Sequence, residues 1–313
     1  MNISTPYIII QQFLAWCDIF LIVLGIIGNS LIIIVSLKQK IREFTKFLIM
    51  TEAIWDFFDI IIEGVRYFLL SFYDIEIRNL NLTTCKLYTF LLNYFSDVSV
   101  WGLMVLSTER YLLLKYPTNF TLRNLTKKHA VIFTVLLLLL SFVKNFVQLL
   151  SVFNETRMLC TIYSEKGQKI NSYVDFVLNI LVPFIWVAIF TLGSIMLIRA
   201  QNGKLSKTVL NCNLKDPSMH VLRMIFIISI YRFTSSIPLT ALQIMVNTGY
   251  LYQKDINIPL IILMHNISTM LLLSNNSIKF YLFYHVSPFY QITISELMRS
   301  NCKKIKTFIP SFN

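Results

Sequence analysis

The sequence predicts an all-α membrane protein, a seven-transmembrane helix bundle followed by a short amphipathic eighth helix. Of its 313 residues, 56% are hydrophobic and only 14% are charged, and the mean hydropathy is +0.64. A soluble domain of this length needs more charged surface, so the composition indicates a polytopic helical membrane protein. Seven apolar segments follow one another without an internal repeat or a linker. We therefore expect a single domain over residues 1–313.

Each of the seven segments is long enough to cross a hydrocarbon core of about 30 Å with some tilt. The second and the sixth are the weakest of these predictions, because they contain charged residues. The amphipathic eighth helix is expected at about 287–299. The predicted transmembrane helices are 10–36, 44–70, 86–114, 129–152, 172–200, 220–248 and 257–284.

Lysine and arginine are concentrated in one set of connections, at 36–46, 115–128 and 199–223, and in the C-terminal tail. Cytoplasmic loops carry such an excess, so we expect a multi-pass protein of the plasma membrane with an extracellular N-terminus. The net charge of +12 then reflects these loops beside anionic lipid, and no nucleic-acid partner is expected. The first helix is expected to act as a signal anchor, because Met1 to Gln12 carries no basic n-region.

Three sequons, which begin at Asn2, Asn81 and Asn154, lie on the predicted outer side. Asn2 and Asn154 are the candidate glycosylation sites, because Asn81 lies close to the membrane and to Cys85. The five cysteines show neither CxxC nor metal-ligand spacing, so no metal and no cofactor are expected. Cys85 and Cys160 fall on the same predicted side of the membrane, and we pair them. Cys302 follows the amphipathic tail and is either a palmitoylation site or a free thiol.

The triplet Glu109-Arg110-Tyr111 ends the third apolar segment. Burying an arginine at the edge of a hydrophobic helix is costly, which indicates a function. Cys85 precedes Arg110 by 25 residues and Pro117 follows it by seven. With these residues at this spacing, the chain resembles the rhodopsin-like (class A) G-protein-coupled receptors over roughly residues 15–300.

The resemblance implies that the disulfide pins an extracellular loop over the third helix. It also implies a switch at the triplet Glu109-Arg110-Tyr111. Arg110 pairs with Glu109 at rest and turns toward a cytoplasmic partner, a heterotrimeric G protein, when the helices move apart.

A central polar network is implied by the spacing of Asn29 and Asp56, with Asp59 as the competing candidate for Asp56. In the family this aspartate often helps to hold a sodium ion. We expect Lys279 to supply the cation instead through a salt bridge to Asp56; the alternative is a lysine that snorkels or pairs elsewhere. The other expected members of the network are Ser99, Asn275 and Asn276.

Pro183 and Pro238 match the family's prolines of helices five and six, where they kink the helix. Other positions depart from the family. The helix-four tryptophan is missing, and Arg232 and Ser236 replace the usual phenylalanine and tryptophan of helix six. A buried Arg232 needs a carboxylate, and Asp97 and Asp56 are its candidate partners.

Helix seven lacks the usual Asn-Pro-x-x-Tyr motif. Its stretch Ser274–Tyr284 resembles the Asn-Ser-Ser-Ile-Asn-Phe-x-x-Tyr variant of invertebrate peptide receptors related to FMRFamide and myosuppressin receptors. In that register Lys279 stands where asparagine is usual, and Phe283 where tyrosine is. A second register, with Asn276 as the motif asparagine and Ser277 in place of proline, stays open.

Six polar residues are candidates for a ligand pocket near the extracellular mouth. Leu92 occupies the position where amine receptors carry an aspartate, which favours a peptide ligand over an amine. Glu63 or Asp175 is a candidate partner for a peptide arginine. The alternative is that these residues face lipid headgroups or loop charges. The six are Glu63, Arg66, Asn93, Ser96, Asp175 and His265.

The leading functional interpretation is a receptor that couples an extracellular ligand, favoured to be a short neuropeptide, to a heterotrimeric G protein. An orphan or chemosensory receptor with atypical coupling is the alternative. A transporter is disfavoured by the odd helix count and the absence of inverted repeats. The chain carries no HExxH or GxSxG motif and no paired catalytic aspartates, so no enzyme is expected.

Overall fold

Eight helices make up most of the computed structural model, which describes residues 5–38, 42–154, 159–162, 165–205, 217–248 and 258–308. Most predicted helix ends agree with these to within a few residues, but α5 begins seven residues earlier than predicted and α8 ends nine residues later. A helix of one turn, Phe120–Arg123, lies between α3 and α4. The helices are α1 (Thr5–Lys38), α2 (Glu43–Tyr73), α3 (Leu82–Lys115), α4 (Lys127–Asn145), α5 (Glu165–Leu205, in three parts), α6 (Pro217–Asn247), α7 (Ile258–Val286) and α8 (Pro288–Phe308).

The bundle has an apolar outside and a polar inside. Five stretches in the described part are long and apolar enough to cross a membrane: Ile9–Lys38, Leu82–Lys115, Lys127–Leu150, Lys166–Ala200 and Met224–Val246. Large apolar side chains such as Phe13, Leu139 and Met196 are exposed on the surface. Charged side chains are buried instead, as expected where the surroundings are lipid rather than water.

α2 carries five of the ten buried charged residues in the described part of the chain. Glu52, Asp56, Asp59, Glu63 and Arg66 are all buried, and they are spaced by four, three, four and three residues. Positions at this spacing lie on one face of a helix. The charged residues that weaken α2 as an apolar span therefore form one stripe that faces the interior of the bundle.

α5 contains a π-helical segment that the sequence did not predict. Phe176–Leu181 is a π-helix between the α-helical parts Glu165–Asp175 and Val182–Leu205. The π pattern would have residue 183 donate to the carbonyl of Leu178, but Pro183 has no N–H. The indole nitrogen of Trp101 on α3 donates to this carbonyl instead, at 3.1 Å. The distortion expected at Pro183 is thus a π-helical segment and not a simple kink.

The fourth helix ends earlier than predicted. Phe146–Leu150 forms a 3-10 helix, and Ser151–Asn154 (β1) pairs antiparallel with Leu159–Ile162 (β2). Val152 and Phe153 extend the apolar run into this hairpin, so hydropathy alone placed the helix end too late. The disulfide between Cys160 of β2 and Cys85 joins the hairpin to the start of α3. We call this end of the bundle the disulfide face and the opposite end, beside Arg110, the Arg110 face.

An apolar cluster lies near the Arg110 face. It includes Ile49 of α2, Leu106 of α3 and Ile228 of α6. Tyr290 of α8 is 1% exposed, and its ring centroid lies 6.3 Å from that of Phe280 and 5.5 Å from that of Phe283. These ring contacts dock α8 against the end of α7.

α1 lies against α2 and α7, and glycines allow the close approach. A Cβ atom at Gly25 would lie 2.6 Å from Cδ1 of Ile60 on α2 and 3.2 Å from the backbone Cα of Ser277 on α7. A Cβ atom at Gly64 would lie 2.7 Å from Ile22. A larger side chain at Gly25 must therefore push α1 away from one of its neighbours.

We expect Gly25→Leu to lower the free energy of unfolding by about 1–3 kcal/mol, as overpacking does in closely packed interiors. Gly102→Leu is the matched control, because a Cβ atom at Gly102 meets nothing within 4 Å. The thermal unfolding temperature of the purified protein in detergent measures both. An equal effect of the two substitutions would contradict the close packing of α1.

Candidate functional site

A buried ammonium group lies at the centre of the bundle. Nζ of Lys279 on α7 is 2.6 Å from Oδ2 of Asp56 and 3.0 Å from Oε1 of Glu52, both on α2. Ser99 of α3 donates to Oδ1 of Asp56 at 2.7 Å. The predicted pair of Asp56 and Lys279 is confirmed, and Glu52 is a second acid that sequence reasoning missed. One ammonium group therefore serves two carboxylates and ties α2 to α7.

An asparagine cluster lies next to this ion pair. Nδ2 of Asn276 donates to Oδ2 of Asp59 at 2.6 Å, and Nδ2 of Asn275 donates to Oδ1 of Asn276 at 2.9 Å. Nδ2 of Asn29 donates to the backbone carbonyls of Asn276, at 3.1 Å, and Gly25, at 3.0 Å. The two candidate aspartates of α2 thus have different partners: Asp56 contacts the lysine and Asp59 contacts the asparagine cluster.

The predicted pairing of Arg232 with Asp97 or Asp56 is wrong. Nη2 of Arg232 donates to Oγ of Ser96 at 2.9 Å, and Nη1 donates to Oδ1 of Asn276 at 3.3 Å. Arg232 is 8% exposed, and within the described ranges it forms no ion pair with a carboxylate. Asp56 is already occupied by Lys279.

Asp97 is neutralised by a lysine that the sequence did not single out. Nζ of Lys144 on α4 lies 2.8 Å from Asp97 of α3 and 2.7 Å from Asp175 of α5. Nδ2 of Asn145 also donates to Asp97, at 2.6 Å. Lys144 lies in an otherwise apolar segment, and a cation there that must find an acid is the signal that could have revealed it. The cluster ties α3, α4 and α5 together.

A cavity of about 120 Å³ opens between α2, α3, α5, α6 and α7, on the disulfide-face side of the central ion pair. Four of the six predicted pocket residues line it, namely Glu63, Asn93, Ser96 and Asp175. A smaller cavity of about 20 Å³ adjoins it and is lined by Pro183. The two cavities share Asn179, Ile180, Arg232 and Ser236. The other lining residues of the larger cavity are Asp59, Leu92, Leu239, Thr240, Gln243 and Leu272.

Arg66 and His265 are not among the residues that line this cavity. Arg66 instead binds Glu76 in the connection between α2 and α3, with Nη2 at 2.7 Å from Oε2. Arg78 binds the same carboxylate at 3.0 Å. Burial alone would raise the pKa of Glu76, but the hydrogen bonds from the two guanidinium groups outweigh it and lower the pKa to about 2. Glu76 is therefore ionised at neutral pH, and Arg66 anchors a loop.

At the Arg110 face, the carboxylate of Glu109 is buried among cations. Nε of Arg110 lies 3.3 Å from Oε2 of Glu109, which is the expected pair. Nη1 of Arg42 donates to Oε1 at 3.1 Å, and Oγ1 of Thr45 donates to Oε1 at 2.9 Å. Arg42 also donates to the carbonyl of Leu122. Arg42 and Thr45, at the start of α2, were missed because nothing in their local sequence indicates a contact with α3.

Tyr111, the last residue of the triplet, lies in the final turns of α3. Tyr111 packs edge to face on Phe190 of α5, with ring centroids 5.2 Å apart. A Cβ atom at Gly193 would lie 2.9 Å from the ring of Tyr111, so the two helices approach closely there. Pro117 lies in the exposed turn just after α3.

The model of the family described as "7 transmembrane receptor (rhodopsin family)" matches residues 28–278, which is most of the chain. The chain belongs to this family. It is a multi-pass membrane receptor and not an enzyme. A comparison with curated proteins found no match. The resemblance to the rhodopsin-like class is thereby confirmed, whereas the likeness to invertebrate neuropeptide receptors stays a prediction.

Some predicted features of the receptor lie outside what the structure describes. Asn2 falls outside the described residues. Asn154 ends β1 and Cys302 lies within α8, but their side chains are not described. Glycosylation and palmitoylation at these positions therefore stay predictions.

Since Lys279 places a cation between Asp56 and Glu52, we expect the stability of the receptor to be independent of sodium. The thermal unfolding temperature should be equal in sodium chloride and in choline chloride at the same ionic strength. Lys279→Met leaves two buried carboxylates without a cation, which costs about 3–5 kcal/mol when one partner of a buried pair is removed. This variant should be less stable and should be restabilised by sodium.

The control for the sodium experiment is Asp56→Asn. The expectation would be contradicted by a wild-type receptor that sodium stabilises and that loses this response on Asp56→Asn.

Proposed function

We propose that this receptor acts as a single domain that converts binding of an extracellular ligand, a short neuropeptide rather than an amine, into activation of a heterotrimeric G protein. The observation that carries the proposal is the contact of Arg110 with Glu109 at the end of α3 opposite the disulfide. A ligand that favours a second arrangement of the helices would release Arg110 toward the G protein.

The orientation of the receptor is part of the proposal. The described basic residues Lys38, Lys115 and Arg199 lie at or near the helix ends of the Arg110 face, which supports a cytoplasmic Arg110 face and an extracellular N-terminus at the plasma membrane. The cavity then opens on the extracellular side, where Asn2 and Asn154 are the proposed glycosylation sites. The basic loops also favour the anionic inner leaflet and help to dock an acidic surface of the G protein.

Release of Arg110 would leave Glu109 with other partners in this arrangement. Arg42 and Thr45 remain bound to its Oε1 atom when Arg110 leaves. A buried carboxylate without any cation would otherwise cost several kcal/mol. The two resident donors therefore support Arg110 as the moving member of the pair.

Leu92 supports a peptide over an amine. It lines the cavity at the position where the resemblance places the aspartate of amine receptors, and it offers no charge to an ammonium group. Of the two acids proposed to meet a peptide arginine, Asp175 is already bound by Lys144 at 2.7 Å. Glu63 therefore becomes the better candidate.

The altered positions of α6 and α7 support the alternative, an orphan or chemosensory receptor with atypical coupling. Arg232 and Ser236 line both cavities in place of the usual aromatic residues, and Lys279 occupies the centre. The route from the cavity to Arg110 therefore differs from that of typical relatives. A screen of amidated peptides and amines on cells that express the receptor and a promiscuous G protein distinguishes the neuropeptide receptor from this alternative. Activation by an amidated peptide would support the neuropeptide receptor.

We expect Arg110→Ala to abolish ligand-stimulated nucleotide exchange while surface expression is retained, because the guanidinium group is the proposed contact with the G protein. Lys86→Ala is the matched control for the loss of a positive charge on the same helix, since Lys86 lies at the opposite end of α3, next to Cys85. Exchange measured with the purified G protein in membranes tests both variants. Normal exchange by Arg110→Ala would refute the role of Arg110.

A further inference from the structure

Two carboxylates of α2 face the larger cavity without a cation in contact. Asp59 and Glu63 are one helical turn apart and lie on the same face of α2. Each is only 4% exposed, and both line the cavity of about 120 Å³. Acidic side chains this deep in a membrane protein are costly unless a cation or hydrogen-bond donors compensate them.

The hydrogen-bonding capacity of these two carboxylates is largely unused. Oδ2 of Asp59 accepts from Asn276 at 2.6 Å, but its Oδ1 atom has no donor. Glu63 accepts no hydrogen bond from any residue in the described ranges. Asp18 of α1, which is 6% exposed, is a third buried acid close to Glu63.

The neighbouring cations are already bound to other acids. Lys279 contacts Asp56 and Glu52, and Lys144 contacts Asp97 and Asp175. At the disulfide face, Arg66 is held by Glu76 at 2.7 Å. The cavity is therefore lined by two acidic groups that no cation in the described part of the receptor contacts.

Arg232 lines the same cavity but is held apart from these acids. Asn276 lies between them, since its Oδ1 atom accepts from Arg232 and its Nδ2 atom donates to Asp59. This chain of hydrogen bonds links α6 to α2 through α7. A cation that binds Asp59 would repel the guanidinium group of Arg232 and weaken this chain of hydrogen bonds.

We propose that Asp59 and Glu63 form the binding site for a guanidinium group of the ligand. The inference rests on the receptor function proposed above and names the chemical class that its cavity recognises. A guanidinium offers five N–H donors in a planar fork, enough to donate to both carboxylates at once. No group of three histidine, cysteine or acidic side chains in the described part is arranged for a metal ion.

The size of the cavity limits what enters it. A volume of about 120 Å³ is below the range of about 300–1,000 Å³ of sites that enclose a whole drug-sized ligand. One side chain of the ligand therefore enters the cavity, and the remainder lies toward the disulfide face. The charge that enters draws Asp59 away from Asn276, and α6 is freed from α7 at Arg232.

L-arginine amide is the probe for this site, and L-citrulline amide is its matched control, because the two differ only in the guanidinium group. We expect L-arginine amide to raise the thermal unfolding temperature of the purified full-length receptor in a saturable manner, and L-citrulline amide to leave it unchanged. A ligand that binds only the folded state stabilises it in this way. Equal shifts with the two amides, or no shift with either, would overturn the proposal without recourse to any variant.

Three variants locate the site. Glu63→Gln and Asp59→Asn should each weaken binding of L-arginine amide about tenfold or more, as loss of a hydrogen bond to a charged group does. Asp175→Asn is the control in the same cavity, because Asp175 already has its cation, and it should retain binding. Retention by both Glu63→Gln and Asp59→Asn, or a loss confined to Asp175→Asn, would place the site elsewhere.

Two measurements distinguish a loss of ligand binding from a loss of folding or of signalling. Glu63→Gln removes a charge that lacks a contacting cation, so this variant without ligand should unfold at no lower temperature than the wild type. Arg110→Ala should retain the response to L-arginine amide even though it loses nucleotide exchange. If the receptor shows ligand-stimulated nucleotide exchange but does not bind L-arginine amide, this site is refuted and the proposed function is not.

Discussion

The ion pair between one lysine of α7 and two acids of α2 is the contact on which the interior of the bundle depends. Lys279 is the cation that contacts Asp56 and Glu52, and in a medium without water buried acids at that depth need such a cation. The pair sets the register of α7 against α2. With that register, Asn276 lies opposite Asp59, and Phe283 meets the ring of Tyr290 that docks α8.

The charged stripe of α2 divides into three levels with different roles. At the centre, Asp56 is bound by Lys279, and at the disulfide face Arg66 anchors a loop through Glu76. Between these levels, Asp59 and Glu63 line the cavity without a contacting cation. A guanidinium group of the ligand, as proposed, would complete the stripe. The middle level is also the one that reaches α6, because Asn276 binds both Asp59 and Arg232.

Most of the fold could be predicted from the sequence, because hydropathy and loop charge act locally. The pair of Asp56 and Lys279 could also be predicted, because a lysine in an apolar helix needs an acid at its own depth. Hydropathy could not place the end of α4, since Val152 and Phe153 read as a continuing helix although they form β1. The partner of Arg232 was predicted wrongly because it depends on which acids other cations have already taken, and this is decided by packing in three dimensions.

A double-mutant cycle on Lys279 and Asp56 tests the central claim most directly. The cycle is made in a Glu52→Gln background, so that one ammonium group and one carboxylate remain. We expect Lys279→Met and Asp56→Asn each to lower the free energy of unfolding by about 3–5 kcal/mol, and the double variant to lose much less than the sum. Additive losses, measured by denaturant unfolding of the purified receptor, would show that the pair does not hold α2 to α7.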